Sequence, residues 1–253
     1  MSLLGSIDME TWAQDGHTWG RLPVQSWVCG PGGALRLGVL SILVDVVVGA
    51  QPPPRGAVNP TTDMVMQWTS PPRPGAVVRA ESNILKWGGR LIVGETAIRD
   101  EASEETIGWG SATFINRPVG DGNDWGEPRH WGGPGEPHES VEEALGVEQV
   151  RPGVVDLPMV DAVSNPMAGG TVQGGIQAIL AELAAEQAAG DGYQVVHLGI
   201  RFMNRSKIGP LRAIATALPG TGTGADRTVR VELVDAGDDN RIVSHAMATA
   251  RLL

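Results

Sequence analysis

Two stretches of this chain are apolar on almost every side: Val39 to Ala50, interrupted by Asp45, and Ile176 to Ala189, interrupted by Glu182 and Glu186. The second is dense in strong helix formers and stops at Gly190, which predicts a helix with a glycine terminus. The first is ambiguous by itself, because Val44, Val46, Val47 and Val48 suit a buried strand equally well. Its counterpart in the second half decides for helix. After each apolar stretch come four β-branched, alternating runs that predict strands. In the first half these are Met64 to Ser70, Gly75 to Ala80, Leu91 to Asp100 and Gly108 to Ile115; in the second, Val195 to Phe202, Gly209 to Ala213, Thr228 to Asp235 and Ser244 to Ala250. Pro71-Pro72, Gly88-Gly89, Pro219-Gly220 and Asp238-Asp239-Asn240 mark turns between them.

The order of elements therefore repeats, and the spacing makes the repeat quantitative. Asp45 to Glu182 and Glu95 to Glu232 are each offset by 137 positions, Ala112 to Ala248 by 136, and Gly75 to Gly209 by 134. So long a period denotes duplication of a domain and not a solenoid, whose repeats run about 20 to 50 residues. Each copy reads as one helix followed by four strands, an α+β unit. Between Phe114 and Glu139 glycines and prolines alternate, from Gly120 to Pro137, in a pattern that favours irregular backbone. The expected organisation is an N-terminal domain over 1–118, a linker over 119–150 and a C-terminal domain over 151–253. Trp125, His130, Trp131 and His138 in the linker are read as surface anchors in preference to a metal or stacking site.

Composition narrows the function classes. With 42% hydrophobic and 19% charged residues the chain has the make-up of a globular protein. The run from Val39 to Ala50 is too short for a bilayer span, which needs roughly 18 residues. The N-terminus lacks a basic region ahead of Asp8 and Glu10, so no secretory signal is expected and a cytoplasmic location follows. A net charge of −10 disfavours nucleic acid and anionic lipid as partners, and any anionic ligand must find local cations. Cys29, the single cysteine, is read as a structural thiol, since no histidine lies near it in sequence.

The chemistry is expected where the helices begin. Asn165-Pro-Met-Ala-Gly-Gly-Thr-Val-Gln173-Gly174-Gly175 leads into the second helix, and Glu182 stands two turns inside it. Gly33-Ala-Leu-Arg36-Leu37-Gly38 leads into the first, with Asp45 at the matching place; each carboxylate lies nine residues after Gln173 or Arg36. Glycines opening a helix let a carbonyl approach free N–H groups that, with the helix dipole, stabilise an oxyanion. A carboxylate inside an apolar helix has a raised pKa and needs a polar partner or a task. The bland alternatives are that Asp45 pairs with Arg36, that Glu182 and Glu186 form a solvated helix face, and that the glycines merely allow tight packing.

These residues resemble the hotdog-fold acyl-CoA thioesterases of the phenylacetate-pathway type, whose signature is Asn, a short gap, His-Gly-Gly and an Asp or Glu nine residues after the His. Arg205-Ser-Lys-Ile-Gly209 leading into Arg212-Ala, and Val231 to Asp235 before a polar turn, also resemble that family. The chain departs from it in having Gln173 and Arg36 where the family has His, and a gap after Asn165 longer by two residues. The resemblance implies a double hotdog: two long central helices, each wrapped by an antiparallel sheet, with the sheets joined edge to edge. It implies composite sites, Asp45 facing Asn165, Gln173, Gly174 and Gly175, and Glu182 facing Arg36 and Gly38, the first being the expected active one. It also implies an acyl-CoA substrate, no cofactor beyond the coenzyme A that substrate carries, no metal, CoA phosphates bound by Arg205 and Lys207, and further self-association of double-hotdog chains. Two rivals stand beside hydrolysis. A non-catalytic acyl-CoA binding protein would account for the absent His, and a thioester hydratase or dehydratase would require a helix-borne His that the chain lacks.

Overall fold

The computed structural model describes residues 6–50, 60–116, 129–131, 138–160, 163–165, 170–219 and 225–253. In the first half, strands β1 (Met9–Gln14) and β2 (His17–Pro23) precede helix α1 (Leu37–Gly49), which is followed by β3 (Thr61–Trp68), β4 (Val77–Trp87), β5 (Leu91–Asp100) and β6 (Thr106–Ile115). A short β7 (Arg129–Trp131) and helix α2 (Val141–Leu145) lead into the second half. There β8 (Glu148–Arg151), β9 (Val154–Leu157) and the two-residue strands β10 (Ser164–Asn165) and β11 (Thr171–Val172) precede α3 (Gly174–Ala189). The chain ends in β12 (Tyr193–Phe202), β13 (Leu211–Ala217), β14 (Asp226–Asp235) and β15 (Arg241–Leu252).

All strands but β10 and β11 form one antiparallel sheet in the order β7-β1-β2-β4-β5-β6-β3-β12-β15-β14-β13-β9-β8. Read outward from the centre, β3-β6-β5-β4-β2 on one side matches β12-β15-β14-β13-β9 on the other. The halves meet where β3 and β12 pair antiparallel, from Asp63↔Arg201 to Gln67↔His197. Helices α1 and α3 begin 137 residues apart, at Leu37 and Gly174, so the periodicity in the sequence is also the periodicity of the fold.

Burial alternates along the strands as a sheet with one covered face requires. Leu22, Met64, Met66, Val78, Ala80, Ile92, Ile98, Ala112 and Phe114 are buried towards the helix layer. Glycines open the sheet for α1: a methyl group at Gly20, Gly94 or Gly110 would collide with Val47, Val48 or Val44. The valine-rich α1 is covered over most of its circumference by the sheet and by α3, with Asp45 and Val46 only partly buried, a setting that accepts β-branched side chains in a helix.

Two expectations need adjusting. Each half adds two strands of the main sheet ahead of its helix, β1 and β2 or β8 and β9, which were too short or too polar to stand out in the sequence. The segment read as linker is also partly ordered. α2 is capped by the Ser140 hydroxyl, which accepts from the Glu143 N–H, and β8 is an edge strand of the main sheet. Trp125 and most of the Gly/Pro run lie outside the described residues. His138 packs edge-on against Trp27, with ring centroids 5.2 Å apart.

Candidate active site

The two helices touch through glycine. A methyl on Gly38 would strike the Ile179 backbone, and one on Gly175 would strike Ile42. These two glycines let α1 and α3 approach at mirrored positions, so both serve the packing of the helices. Asp45 stands three residues beyond Ile42 and Glu182 three beyond Ile179. The two carboxylates thus occupy equivalent places on helices that cross by an approximate two-fold. What surrounds them differs.

At the start of α1 the site is filled. Glu182 is fully buried, and its two oxygens accept from the Leu37 N–H at 3.0 Å and the Gly38 N–H at 2.7 Å. Beside it Arg36, 4% exposed, donates to Glu186 at 2.6 Å and to Glu142 of α2 at 2.9 Å. The Val195 N–H completes Glu186 at 3.3 Å. Burial pushes the Glu182 carboxyl upward and Glu186 adds to that, while Arg36 and the two N–H groups oppose it. Acceptance at both oxygens is the bonding pattern of the ionised form. Burial would lower the pKa of Arg36, but Glu186, Glu182 and Glu142 more than offset it and hold the guanidinium charged.

This arrangement corrects three expectations. Glu182 is no free catalytic group, because both of its oxygens are already bonded and no solvent reaches it. Gly38 cannot offer its N–H to a substrate, and Arg36 is consumed by two glutamates. Asp45 does not pair with Arg36, and Glu182 and Glu186 are not a solvated face.

At the start of α3 the corresponding groups are open. No hydrogen bond joins the N–H of Gly174 or Gly175 to another described residue, and the Oε1 of Gln173, the residue that precedes the helix, is buried without a partner among the described residues. Asp45 reaches sideways instead: its Oδ1 accepts from the Thr61 hydroxyl at 2.5 Å, where β3 begins. Asp45 is partly exposed, yet the surrounding protein raises its carboxyl to a pKa of about 6, burial outweighing the Thr61 hydrogen bond. The backbone of Asn165 pairs with Thr171 across β10 and β11, just ahead of Gln173. Gln177, 4% exposed, donates from Nε2 to the Val172 carbonyl at 2.9 Å and accepts at Oε1 from the Ser244 hydroxyl at 2.5 Å.

Arg205 and Lys207 are exposed on the turn after β12. Asp235 builds that turn, accepting from the N–H groups of Lys207, Ile208 and Gly209 at 2.6, 3.0 and 2.6 Å. Burial alone would raise the Asp235 carboxyl, but these donors bring it below the ordinary range. Among the described residues no cluster of His, Cys, Asp and Glu has the geometry to hold a metal. Among the described residues no helix is long and apolar enough to cross a membrane. Thr61, Gln177 and Ser244 escaped the sequence reading, since a lone hydroxyl or amide shows its role only through what it touches.

No family model matches the sequence, and no curated protein matches it. Solved structures do resemble the fold. A protein from Lactobacillus plantarum provisionally named an oleoyl thioesterase superposes with a TM-score of 0.67 at 14% identity, covering 99% of both chains. The 12:0-ACP thioesterase of Umbellularia californica gives 0.63 at 10% identity over 93% of this chain and 94% of its own. A hot dog fold protein of unknown function from Alicyclobacillus acidocaldarius gives 0.62 at 10% identity over 96% and 95%. With the whole chain covered and an antiparallel sheet lined by helices on one face, the protein adopts the hotdog fold.

Proposed function

We propose that this chain is a tandem double hotdog that hydrolyses acyl thioesters, with acyl-CoA as substrate and one working site, at the start of α3. The observation that carries this reading is the contrast between the two helix starts. At one, a carboxylate from the opposite helix sits on the N–H pair; at the other, the N–H groups of Gly174 and Gly175 have no partner among the described residues. By the approximate two-fold, Asp45 faces that open pair, and its side chain is one methylene shorter than that of Glu182. The gap is suited to a thioester carbonyl and a water.

In this reading the Gly174 N–H polarises the carbonyl and stabilises the oxyanion as the tetrahedral intermediate forms. Gln173, whose Oε1 lacks a partner, or Asn165 orients the water or the carbonyl. Asp45, held by Thr61, either takes a proton from the attacking water and passes it to the departing CoA thiolate, or attacks the carbonyl itself to expel the thiolate, which takes a proton from water, leaving a mixed anhydride that a second water hydrolyses to restore the carboxylate. Its raised pKa makes it a stronger base than a solvated carboxylate while leaving it mostly ionised at neutral pH. Arg205 and Lys207, on a turn rigidified by Asp235, are the local cations for the CoA phosphates in a chain of net charge −10. The solved structures named for thioester hydrolysis agree in fold with this reading.

The test is thiol release from a panel of acyl-CoAs by the wild-type chain, Asp45→Ala and Glu182→Gln. The expected result is loss of about 10³-fold or more for Asp45→Ala and retained turnover per folded molecule for Glu182→Gln. Full activity in Asp45→Ala would overturn the assignment of the site, and acyl-CoA binding without turnover by wild type would favour the binding-protein alternative.

A further inference from the structure

The duplication also exposes a difference in the aromatic residue that ends each central strand. β3 ends on Trp68 and β12 on Phe202. Trp68 is 4% exposed, and its indole N–H donates to the Leu35 carbonyl at 3.1 Å, two residues before α1 begins. Its ring fills the space over Gly108, where a methyl would collide with it. The aromatic residue in this copy is therefore a fixed strut.

Across the two-fold the same three places are rebuilt. Val172 stands two residues before α3 as Leu35 stands before α1, but its carbonyl is held by Gln177, in turn bonded to Ser244. Ser244 takes the place of Gly108, and Gln177 that of Leu40. Phe202 is thereby released from any hydrogen-bonding duty. Its ring edge lies against Gly174, with Cζ, Cε1 and Cε2 at 3.2, 3.4 and 3.7 Å from where a methyl on that glycine would be, and the side chain is only half-buried. Phe202 is thus in contact with the start of α3 on one side and partly open to solvent on the other, and the chain leaves the covered face at the next residue, Met203, which is 52% exposed. A phenyl group held only by dispersion can turn at the cost of a few contacts; a hydrogen-bonded, enclosed indole cannot.

Resting on the proposed hydrolysis at Gly174, we infer that Phe202 is the specificity-determining wall of the site, selecting acyl groups by their bulk next to the thioester carbonyl. The ring adjoins the residue whose N–H would receive that carbonyl, so it meets the acyl α-carbon and its substituents before it meets the rest of the chain.

The test measures kcat/KM for a straight-chain acyl-CoA and its α-methyl-branched isomer in wild type, Phe202→Ala and Phe202→Trp. The ratio of the two values is the readout, because partial misfolding lowers both equally and leaves it unchanged. Phe202→Ala should shift the ratio towards the branched substrate by about tenfold, the scale on which a pocket discriminates one or two methyl groups; Phe202→Trp should shift it the other way. A ratio unchanged in both variants would overturn the inference while leaving hydrolysis intact. Absence of thiol release by wild type would instead overturn the hydrolysis reading, and the role of Phe202 with it.

Discussion

The starts of α1 and α3 occupy equivalent places in the two halves of the sheet, and they are built in opposite ways. At α1, Glu182 takes the Leu37 and Gly38 N–H groups and Arg36 is paired with Glu186 and Glu142, so the helix start is a structural joint that ties α1, α3 and α2 together. At α3, an aspartate one methylene shorter is bonded to Thr61, and the glycine N–H groups have no partner among the described residues. A single methylene thus separates a carboxylate that closes a site from one that leaves it open.

The comparison can be broken first at the joint. Glu182→Ala strips Leu37, Gly38 and Arg36 of a buried carboxylate, and should cost about 3–5 kcal/mol in denaturant unfolding. Asp45→Ala should cost far less, because Asp45 has one hydrogen bond and partial access to solvent. Equal losses at the two positions would show that the two sites are built alike.

A smaller and opposite effect is expected for Asp45→Asn. The folded-state pKa of about 6 lies above the ordinary aspartate value of 3.8, so the folded chain binds the proton more tightly than the unfolded one. Stability from this group is therefore fully present below pH ~4 and is lost as pH rises through about 6. An uncharged amide removes that loss, so Asp45→Asn should be more stable than wild type by roughly 1–3 kcal/mol at neutral pH, and no more stable near pH 4. Activity should run the other way, with wild-type kcat/KM falling as pH drops through about 6 and Asp45→Asn inactive throughout. A flat profile from pH 5 to 8 in wild type would detach Asp45 from the chemistry.

The smallest effect concerns the turn after β12. Arg205→Ala with Lys207→Ala should raise KM for acyl-CoA several-fold, by about 1 kcal/mol or less, with kcat unchanged and the difference shrinking in high salt. Dependence on these cations at the α3 side, with none on Arg36, would sharpen the distinction between the two helix starts.

Much of this was legible in the chain alone. The 137-residue offset between Asp45 and Glu182 and between Glu95 and Glu232 reappears as the offset between the two helix starts. Strand β5 runs from Leu91 to Asp100 as its alternation indicated. Such features are local or periodic: side chains must alternate on a sheet with one covered face, and a duplication preserves spacing even when residues diverge. The strands before each helix were less visible, since β8 is exposed at every position and carries no burial pattern.

Which carboxylate is free was decided only by the tertiary structure. Asp45 and Glu182 look interchangeable in sequence, as two acids in two apolar helices. Asp45 finds Thr61 only 16 residues on, whereas the partners at the other helix start come from far along the chain: Leu37 and Gly38 lie 145 and 144 residues from Glu182, and Arg36 lies 150 from Glu186. Pattern along the chain determines which faces are buried and how the elements recur. The energy of a buried charge depends on the donors that the other copy delivers to it, and that is set by the way the two helices cross.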